Sequence, residues 1–486
     1  MAARRDKNKN GDEDMTSSST GKTIRERSGR KAALHIIKGF YCAAQTGLFF
    51  ACWLLYYRHA ADYGFYFWGH WAVAGLYLVV VSVLSKVYGG FRTTSSRAGE
   101  LSYSLIIAVT LADGLYYCIF SLLAYRLVNP LPLLALWLGN ALLAVLWSFV
   151  AVKLTDRLYP PLRTYLIYDN AAAYCSVQGL RRLTWKFDII REVYVSSEGE
   201  IPEELLDGAE AVLLCGLRSS LRNTLLKQCV ARGISVYVRP KIGDLLLSGG
   251  TQEHLAGLPF LNCQQAAPSL WYSFFKRLLD LVICGLALVV LSPLFALTAL
   301  LVKLEDGGPV FYRQCRLTTH GQEFYILKFR SMRVDAEKDG VARLSTGDSD
   351  PRITRTGRFI RKCRLDELPQ LINIIRGEMS IVGPRPERPE IAAQYEEIMP
   401  EFRLRLQVKA GLTGYAQVYG KYNTDPYDKL EMDLMYIAHL SILQDLALMF
   451  VTVKILFLSE STEGVAEGQT TAVQEQESEQ ETMVNV

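Results

Sequence analysis

The 486-residue chain holds six histidines, and its ten cysteines form no C-x-x-C pair. Zinc ligation and a disulfide framework are therefore excluded as organising principles, and Cys42, Cys52, Cys118, Cys175, Cys215, Cys229, Cys263, Cys284, Cys315 and Cys363 read as small buried hydrophobes in a reducing compartment. No apolar core follows the initiator Met closely enough for a cleavable signal peptide. The tail 459–486 has no Lys or Arg against seven Glu and is expected to be disordered, without a catalytic role. The whole chain is 50% hydrophobic, 11% aromatic and 21% charged, with a net charge of +4 and a mean hydropathy of +0.13. These values exclude disorder throughout. They fit apolar and charged segments laid end to end rather than one uniform domain.

Residues 1–32 form a polar arm with nine Lys/Arg and five Asp/Glu, read as disordered. Four apolar stretches follow, at about 39–57, 64–86, 101–125 and 131–152. Each is close to the ~20 residues that a helix needs to cross a bilayer. Tyr56, Tyr57, Tyr63, Phe65, Phe67 and Trp68 crowd the first junction like an interfacial belt. The basic arm and Lys86, Arg92 and Arg97 outnumber the single arginines Arg58 and Arg126 of the alternate loops, which places both ends of the unit 33–157 in the cytoplasm. Asp113, inside the third stretch, reads as a polar group facing a partner helix, with a proton or substrate role as the alternative.

Over 158–265 the pattern changes to short β-rich runs (Thr164–Tyr168, Glu192–Val195, Ala211–Gly216, Ile234–Arg239) alternating with helix such as Leu221–Arg232. This rhythm predicts a Rossmann-like parallel sheet. The first strand runs into Asp169-Asn170-Ala171-Ala172-Ala173, where a dinucleotide site needs glycines for close backbone approach to pyrophosphate. A fold without dinucleotide chemistry is expected, serving assembly or regulation, and a homodimer with it.

A fifth apolar run, 281–304, has Lys276 and Arg277 before it and Lys303, Arg313 and Arg316 after it. Positive charge at both ends argues against crossing. Pro293 offers no N–H to the Val289 carbonyl and must bend the helix, and the Ser292 hydroxyl can serve a freed carbonyl locally. A helix over 276–304 that enters and leaves on one face, broken at Ser292-Pro293, is expected; an ordinary kinked span is the alternative.

Beyond Gly307-Gly308-Pro309, two strand-like runs (Val310–Gln314, Glu323–Met332) put Phe324, Ile326, Lys328 and Arg330 on one face, a phosphate contact or a solvated edge. Arg352, Arg355, Arg358, Arg361 and Arg364 then recur every third residue. Guanidiniums this dense need anions between them, phosphates or anionic membrane lipids being the natural partners. Nucleic acid is disfavoured, because stacking aromatics are missing from the run. Asp366-Glu367 follows, read as opening a helix Leu368–Arg376. The pair is either a helix-start device or a site where one carboxylate attacks phosphorus while its neighbour holds Mg²⁺. Arg385, between Pro384 and Pro386, adds a guanidinium on a rigid turn.

Lys328-Phe329-Arg330-Ser331-Met332, Asp350-Pro351-Arg352, Leu365-Asp366-Glu367-Leu368-Pro369-Gln370 and Val382-Gly383-Pro384-Arg385-Pro386 together resemble the bacterial sugar transferase family, the monotopic polyprenyl-phosphate phosphoglycosyl transferases. The catalytic resemblance covers about 270–458, and four spans plus a Rossmann-like domain are similar to its large subfamily. The resemblance implies a re-entrant helix and an enzyme of a bacterial cytoplasmic (inner) membrane, multi-pass, with its catalytic domain on the cytoplasmic face. The implied reaction moves a hexose 1-phosphate from a UDP-sugar to undecaprenyl phosphate, releasing UMP, and initiates exopolysaccharide, capsule or O-antigen synthesis. It further implies Asp366 as nucleophile, Glu367 as Mg²⁺ ligand, Lys328, Arg330, Arg361 and Arg385 as phosphate-binding residues, and Asp433 near the nucleotide sugar. Lys409-Ala410-Gly411 departs from the family's Arg-Pro-Gly before Leu412-Thr413-Gly414. The competing readings are a phosphotransferase using a CDP-alcohol donor and a membrane scaffold or sensor with an inactive transferase domain. Ser441–Leu458, interrupted by Asp445 and Lys454, reads as an interfacial amphipathic helix.

Overall fold

The computed structural model describes residues 29–30, 32–58, 68–94, 96–169, 178–195, 206–265, 268–334, 352–420 and 425–456. Tyr63, Phe65 and Phe67, the Asn170–Ala173 segment, Asp350-Pro351, the arm over 1–28 and the tail over 459–486 lie outside the described residues. The chain divides into two compact units, Met1–Arg239 and Pro240–Val486.

The first unit opens with four helices long and apolar enough to cross a membrane: α1 (Ala32–Tyr57), α2 (Gly69–Val87), α3 (Ala98–Leu123) and α4 (Leu131–Leu158). Their mutual faces bury small residues, Ala108, Ala112, Ala144 and Ala151, which let backbones approach, beside large aromatics such as Tyr41, Phe49, Tyr77 and Tyr116. Asp113 is fully inside this bundle: the Tyr77 hydroxyl donates to its Oδ1 at 2.9 Å, and Asn140 Nδ2 donates to the same hydroxyl at 3.1 Å. The carboxylate of α3 thus meets α2 directly and α4 through one oxygen, as expected of a polar group facing partner helices.

A four-stranded sheet follows, β1 (Leu162–Tyr168), β2 (Phe187–Tyr194), β3 (Ala211–Cys215) and β4 (Ser235–Val238), ordered β2-β1-β3-β4. Every pair is parallel. The helix α5 (Ser219–Ala231) crosses between the last two strands and buries Leu225 and Cys229 against Ile167, Val212 and Leu214. The βαβ rhythm is therefore realised, with the second strand beginning at Phe187, earlier than its hydropathy suggested. Cys42, Cys215, Cys229 and Cys284 are buried small side chains, whereas Cys118, Cys263 and Cys363 are exposed.

The second unit begins with α6 (Ile242–Ser248) and the hairpin β5 (Thr251–Leu255)–β6 (Leu258–Asn262). Two apolar helices follow, α7 (Leu270–Val290) and α8 (Ser292–Asp306), bent by 64° at one residue. Ser292 Oγ donates to the Val289 carbonyl at 2.7 Å, satisfying the acceptor that Pro293 leaves free. One face of α7 is docked on protein. Arg277 donates to the Ile374 and Ile375 carbonyls at 2.6 and 2.7 Å, the Ile381 N–H donates to Asp280 at 3.1 Å, and Cys284 is buried. The opposite face leaves Trp271, Phe274, Phe275, Leu278, Val282 and Val289 exposed.

The antiparallel pair β7 (Phe311–Leu317)–β8 (Glu323–Phe329) comes next, then α9 (Arg355–Lys362), a single 3₁₀ turn at Leu365–Glu367 and α10 (Gln370–Arg376). The acidic pair thus occupies its own turn, and Pro369 rather than Asp366 stands at the N-cap of α10. The chain enters that turn through Arg364, whose φ of +53° is left-handed, a conformation that costs a non-glycine residue on the order of 1 kcal/mol. That backbone reversal detaches the carboxylates from the helix and corrects the expected start at Leu368.

The remaining elements are β9 (Ser380–Val382), α11 (Pro389–Ile398), β10 (Gly411–Thr413), α12 (Tyr415–Tyr419), α13 (Pro426–Ala438) and α14 (Ile442–Leu456). Strands β9 and β10 run parallel, and a Cβ at Gly383 or Gly411 would fall 2.2 or 2.1 Å from backbone atoms of the other strand's segment. Gly411 N–H donates to the Pro384 carbonyl at 2.8 Å, so the glycines permit the backbone contact that fixes the Pro384-Arg385-Pro386 loop. Gly411→Ala is expected to lower stability by about 1–3 kcal/mol through overpacking, read as a drop in melting temperature; an unchanged melting curve would count against this packing. Ala410, where the family has Pro, uses its N–H to reach Thr318 Oγ1 at 3.2 Å, while Lys409 caps the Gly377 carbonyl at 2.8 Å. The departure therefore ties the loop down. Asp445 does not interrupt a surface helix: it is fully buried, paired to Lys276 at 2.8 Å, and accepts from Tyr436 and Tyr272.

Candidate active site

Strand alternation brings Lys328 inward with buried Phe324 and Ile326. The strand is held in place from its far side by Asn373, which is buried, accepts from Leu327 N–H at 2.9 Å and donates to the Tyr325 carbonyl at 2.8 Å. A side chain thus supplies the pairing that an edge strand lacks. Lys328 Nζ reaches Glu367 Oε1 at 3.3 Å, Arg385 Nη2 reaches the same oxygen at 3.4 Å, and Arg364 lies 3.9 Å from Oε2.

Three cations around one carboxylate decide the electrostatics of the pair. Burial pushes the Glu367 carboxyl up, but Lys328, Arg385 and Arg364 overcome it and hold the group well below the ordinary glutamate range. Asp366 moves the other way. It is only 9% exposed, and burial plus the adjacent Glu367 charge push it above the aspartate range, against Lys328 and Arg361. Glu367 therefore stays ionised while Asp366 is the reluctant, more basic carboxylate of the two. That is the property of a better nucleophile. Lys328 itself is lowered, chiefly by burial, with Glu367 opposing.

Of the residues singled out in the sequence, Asp366, Glu367, Lys328, Arg361 and Arg385 are brought together. Arg330 is buried beside them in sequence but bonds Asp306 through Nη2, and its Nη1 lies against Gly308, where a Cβ would meet it at 1.8 Å. That Nη1 is buried without a hydrogen-bond partner among the described residues. Asp433 is 1% exposed and its carboxylate is engaged by Arg405 at 2.7 Å. Ser292 and Pro293 stand at the α7–α8 bend. The sequence reading missed Asn373, Arg316 and Arg405. Arg316 Nη1 donates to the Pro386 carbonyl and Arg405 Nη2 to the Arg385 carbonyl, each at 3.0 Å. Only the arginine content of their segments hinted at them.

Adjacent carboxylates of opposed basicity, ringed by lysine and arginine, make a site suited to phosphate esters. The model of the family described as bacterial sugar transferase matches residues 271–459. An exopolysaccharide production protein, PSS, of Rhizobium leguminosarum bv. phaseoli is 40% identical over 198 residues, which are 39% of this chain and 96% of that protein. The chain belongs to this family. It is also 37% identical over 232 residues to the UDP-N-acetylgalactosamine-undecaprenyl-phosphate N-acetylgalactosaminephosphotransferase of Aeromonas hydrophila, covering 47% of this chain and 54% of that protein. It is 38% identical over 234 residues to the UDP-glucose:undecaprenyl-phosphate glucose-1-phosphate transferase of Escherichia coli (strain K12), covering 47% and 50%. The chain thus spans about half the length of these last two relatives.

Proposed function

We propose that the protein is a membrane phosphoglycosyl transferase that moves a hexose 1-phosphate from a UDP-sugar to undecaprenyl phosphate. The observation that carries it is the buried Asp366, raised in basicity beside a Glu367 that three cations keep ionised. The substrates for which the Aeromonas and Escherichia relatives are named support the substrate classes.

In the first step an Asp366 carboxylate oxygen attacks the sugar-bearing phosphorus of the donor. The P–O bond to UMP breaks, UMP leaves with that electron pair, and an acyl phosphate to the sugar remains on Asp366. In the second step a phosphate oxygen of undecaprenyl phosphate attacks the same phosphorus. The acyl–phosphate bond breaks, Asp366 is restored as carboxylate, and the diphosphate-linked lipid sugar departs. Lys328, Arg361 and Arg385 hold the phosphates and offset the charge that gathers on them. A Mg²⁺ ion fits the donor chemistry, since Glu367 presents hard oxygen ligands that would hold it; when bound it would neutralise phosphate charge. Among the described residues no three His, Cys, Asp or Glu side chains gather into a metal cluster, so the remaining ligands would be phosphate oxygens and water.

The exposed apolar face of α7 and the cations at both ends of the bent pair support entry from one face only, with the catalytic unit cytoplasmic on the positive-inside count. Incubation with a panel of UDP-sugars, without lipid acceptor, tests the reaction. The expected result is a stoichiometric UMP burst with one sugar, and a peptide containing Asp366 heavier by one sugar phosphate. UMP release only when the lipid phosphate is present, with no modified peptide, would sink the covalent route.

A further inference from the structure

Arg385 is the most exposed member of the cationic ring, at 46% of its side chain, and it stands on a loop rather than on a helix or strand. Something must hold it against Glu367. A buried and a half-buried guanidinium grip consecutive carbonyls of that loop: Arg405 that of Arg385 and Arg316 that of Pro386, both at 3.0 Å. Arg405 is 5% exposed. One of its nitrogens lies 3.6 Å from Glu387, at the loop's far end, and another 2.7 Å from Asp433 on α13.

We propose that Arg405 and Asp433 are a buried positioning pair, which sets the backbone of Arg385 so that its side chain meets donor phosphate, and that Asp433 itself touches no substrate. The proposal rests on the phosphate role given to Arg385 above. Several observations bear on it. Asp433 is inaccessible and negative, and a second anion is a poor partner for a nucleotide diphosphate. Its charge is spent on Arg405. Arg405 Nη2 meets both the Arg385 carbonyl and Asp433 while Nη1 faces Glu387, and only a planar guanidinium fork holds three such groups in one fixed geometry. The two flanking prolines leave the loop few conformations. Once the carbonyl is placed, the backbone that carries Arg385 has little freedom left to lose on binding.

The experiment is a double-mutant cycle on the full-length protein in detergent, with Asp433→Asn, Arg385→Ala and the double variant. UMP release and UMP dissociation constants by calorimetry are the two readouts. Asp433→Asn alone is expected to weaken UMP binding and raise the donor KM, with kcat/KM falling roughly 10- to 100-fold, the scale of lost supporting contacts. In the Arg385→Ala background the same change should cost less than about twofold, because its route to the substrate is already gone. Full additivity would overturn the proposal, as would a lower kcat at unchanged KM and unchanged UMP affinity. Arg405→Lys, which keeps the charge beside Asp433 but loses the planar fork that also faces Glu387, should reproduce Asp433→Asn, and it carries the cycle if the asparagine variant does not fold. If neither folds, the pair is structural and the proposal falls. A parent that binds UMP without releasing it from any UDP-sugar would strike at the reaction alone, since the cycle can be read from UMP affinities.

Discussion

Asp366→Asn is expected to release UMP at less than about a thousandth of the parental rate, the scale on which removal of a nucleophile acts, and to melt at a higher temperature than the parent at neutral pH. The two outcomes share one cause. Burial and Glu367 raise the folded carboxyl above its unfolded value, so the folded state holds that proton more tightly. The stability this contributes is complete below the unfolded value and is lost as pH rises through the folded one. At neutral pH the parent therefore carries an ionised group that its surroundings disfavour, and asparagine does not. Stability given up for reactivity is common at such sites. In the parent, kcat/KM for the donor should fall on acidification at a pH above the range in which ordinary aspartates titrate, because only the carboxylate attacks. A variant that is both active and less stable would refute the assignment.

Lys276→Ala should destabilise the catalytic unit by about 3–5 kcal/mol, the cost of leaving a buried charge without its partner. Asp445 is fully buried, and Lys276 is its only cation at ion-pair distance among the described residues. Tyr272 and Tyr436 donate to the same carboxylate at 2.9 and 2.8 Å, but neutral hydroxyls do not replace the lost charge. Chemical denaturation of the detergent-solubilised protein measures the effect. A change below about 1 kcal/mol would mean that the pair behaves as a surface salt bridge. The double change Lys276→Met with Asp445→Leu should recover much of the loss, since a well-packed apolar pair avoids the desolvation of both ions.

Local pattern made part of this architecture legible. Four long apolar runs, the strand–helix rhythm after Leu162 and the proline inside a fifth run each act through neighbouring residues. The helices, the parallel sheet and the 64° bend follow them. The Ser292–Val289 bond could be named beforehand because both partners lie within one turn. Ordered motifs likewise brought forward Asp366, Glu367, Lys328 and Arg385.

What escaped the sequence was set by distance or by backbone conformation. Arg405 acts on a carbonyl 20 residues away and Asn373 on strand groups 46 and 48 residues away. No spacing rule connects such positions. The left-handed Arg364 gives no signal in a run of arginines, yet it decides that the carboxylates form a separate turn instead of capping a helix. Asp445 looked like an interruption on hydropathy alone, and only the cation and two hydroxyls arriving from α7 and α13 make its burial tolerable.

The bend at Ser292 also has a consequence for the lipid. With 21 and 15 residues in its arms, and on the proposed one-sided entry, a 64° bend puts the elbow roughly 14 Å below the line joining its ends, taking 1.5 Å per residue. That is about half of a ~30 Å hydrocarbon core. On that entry the bent pair would take area from one leaflet and none from the other. It would then act as a one-sided wedge, crowding the layer in which the phosphate end of the proposed lipid acceptor lies.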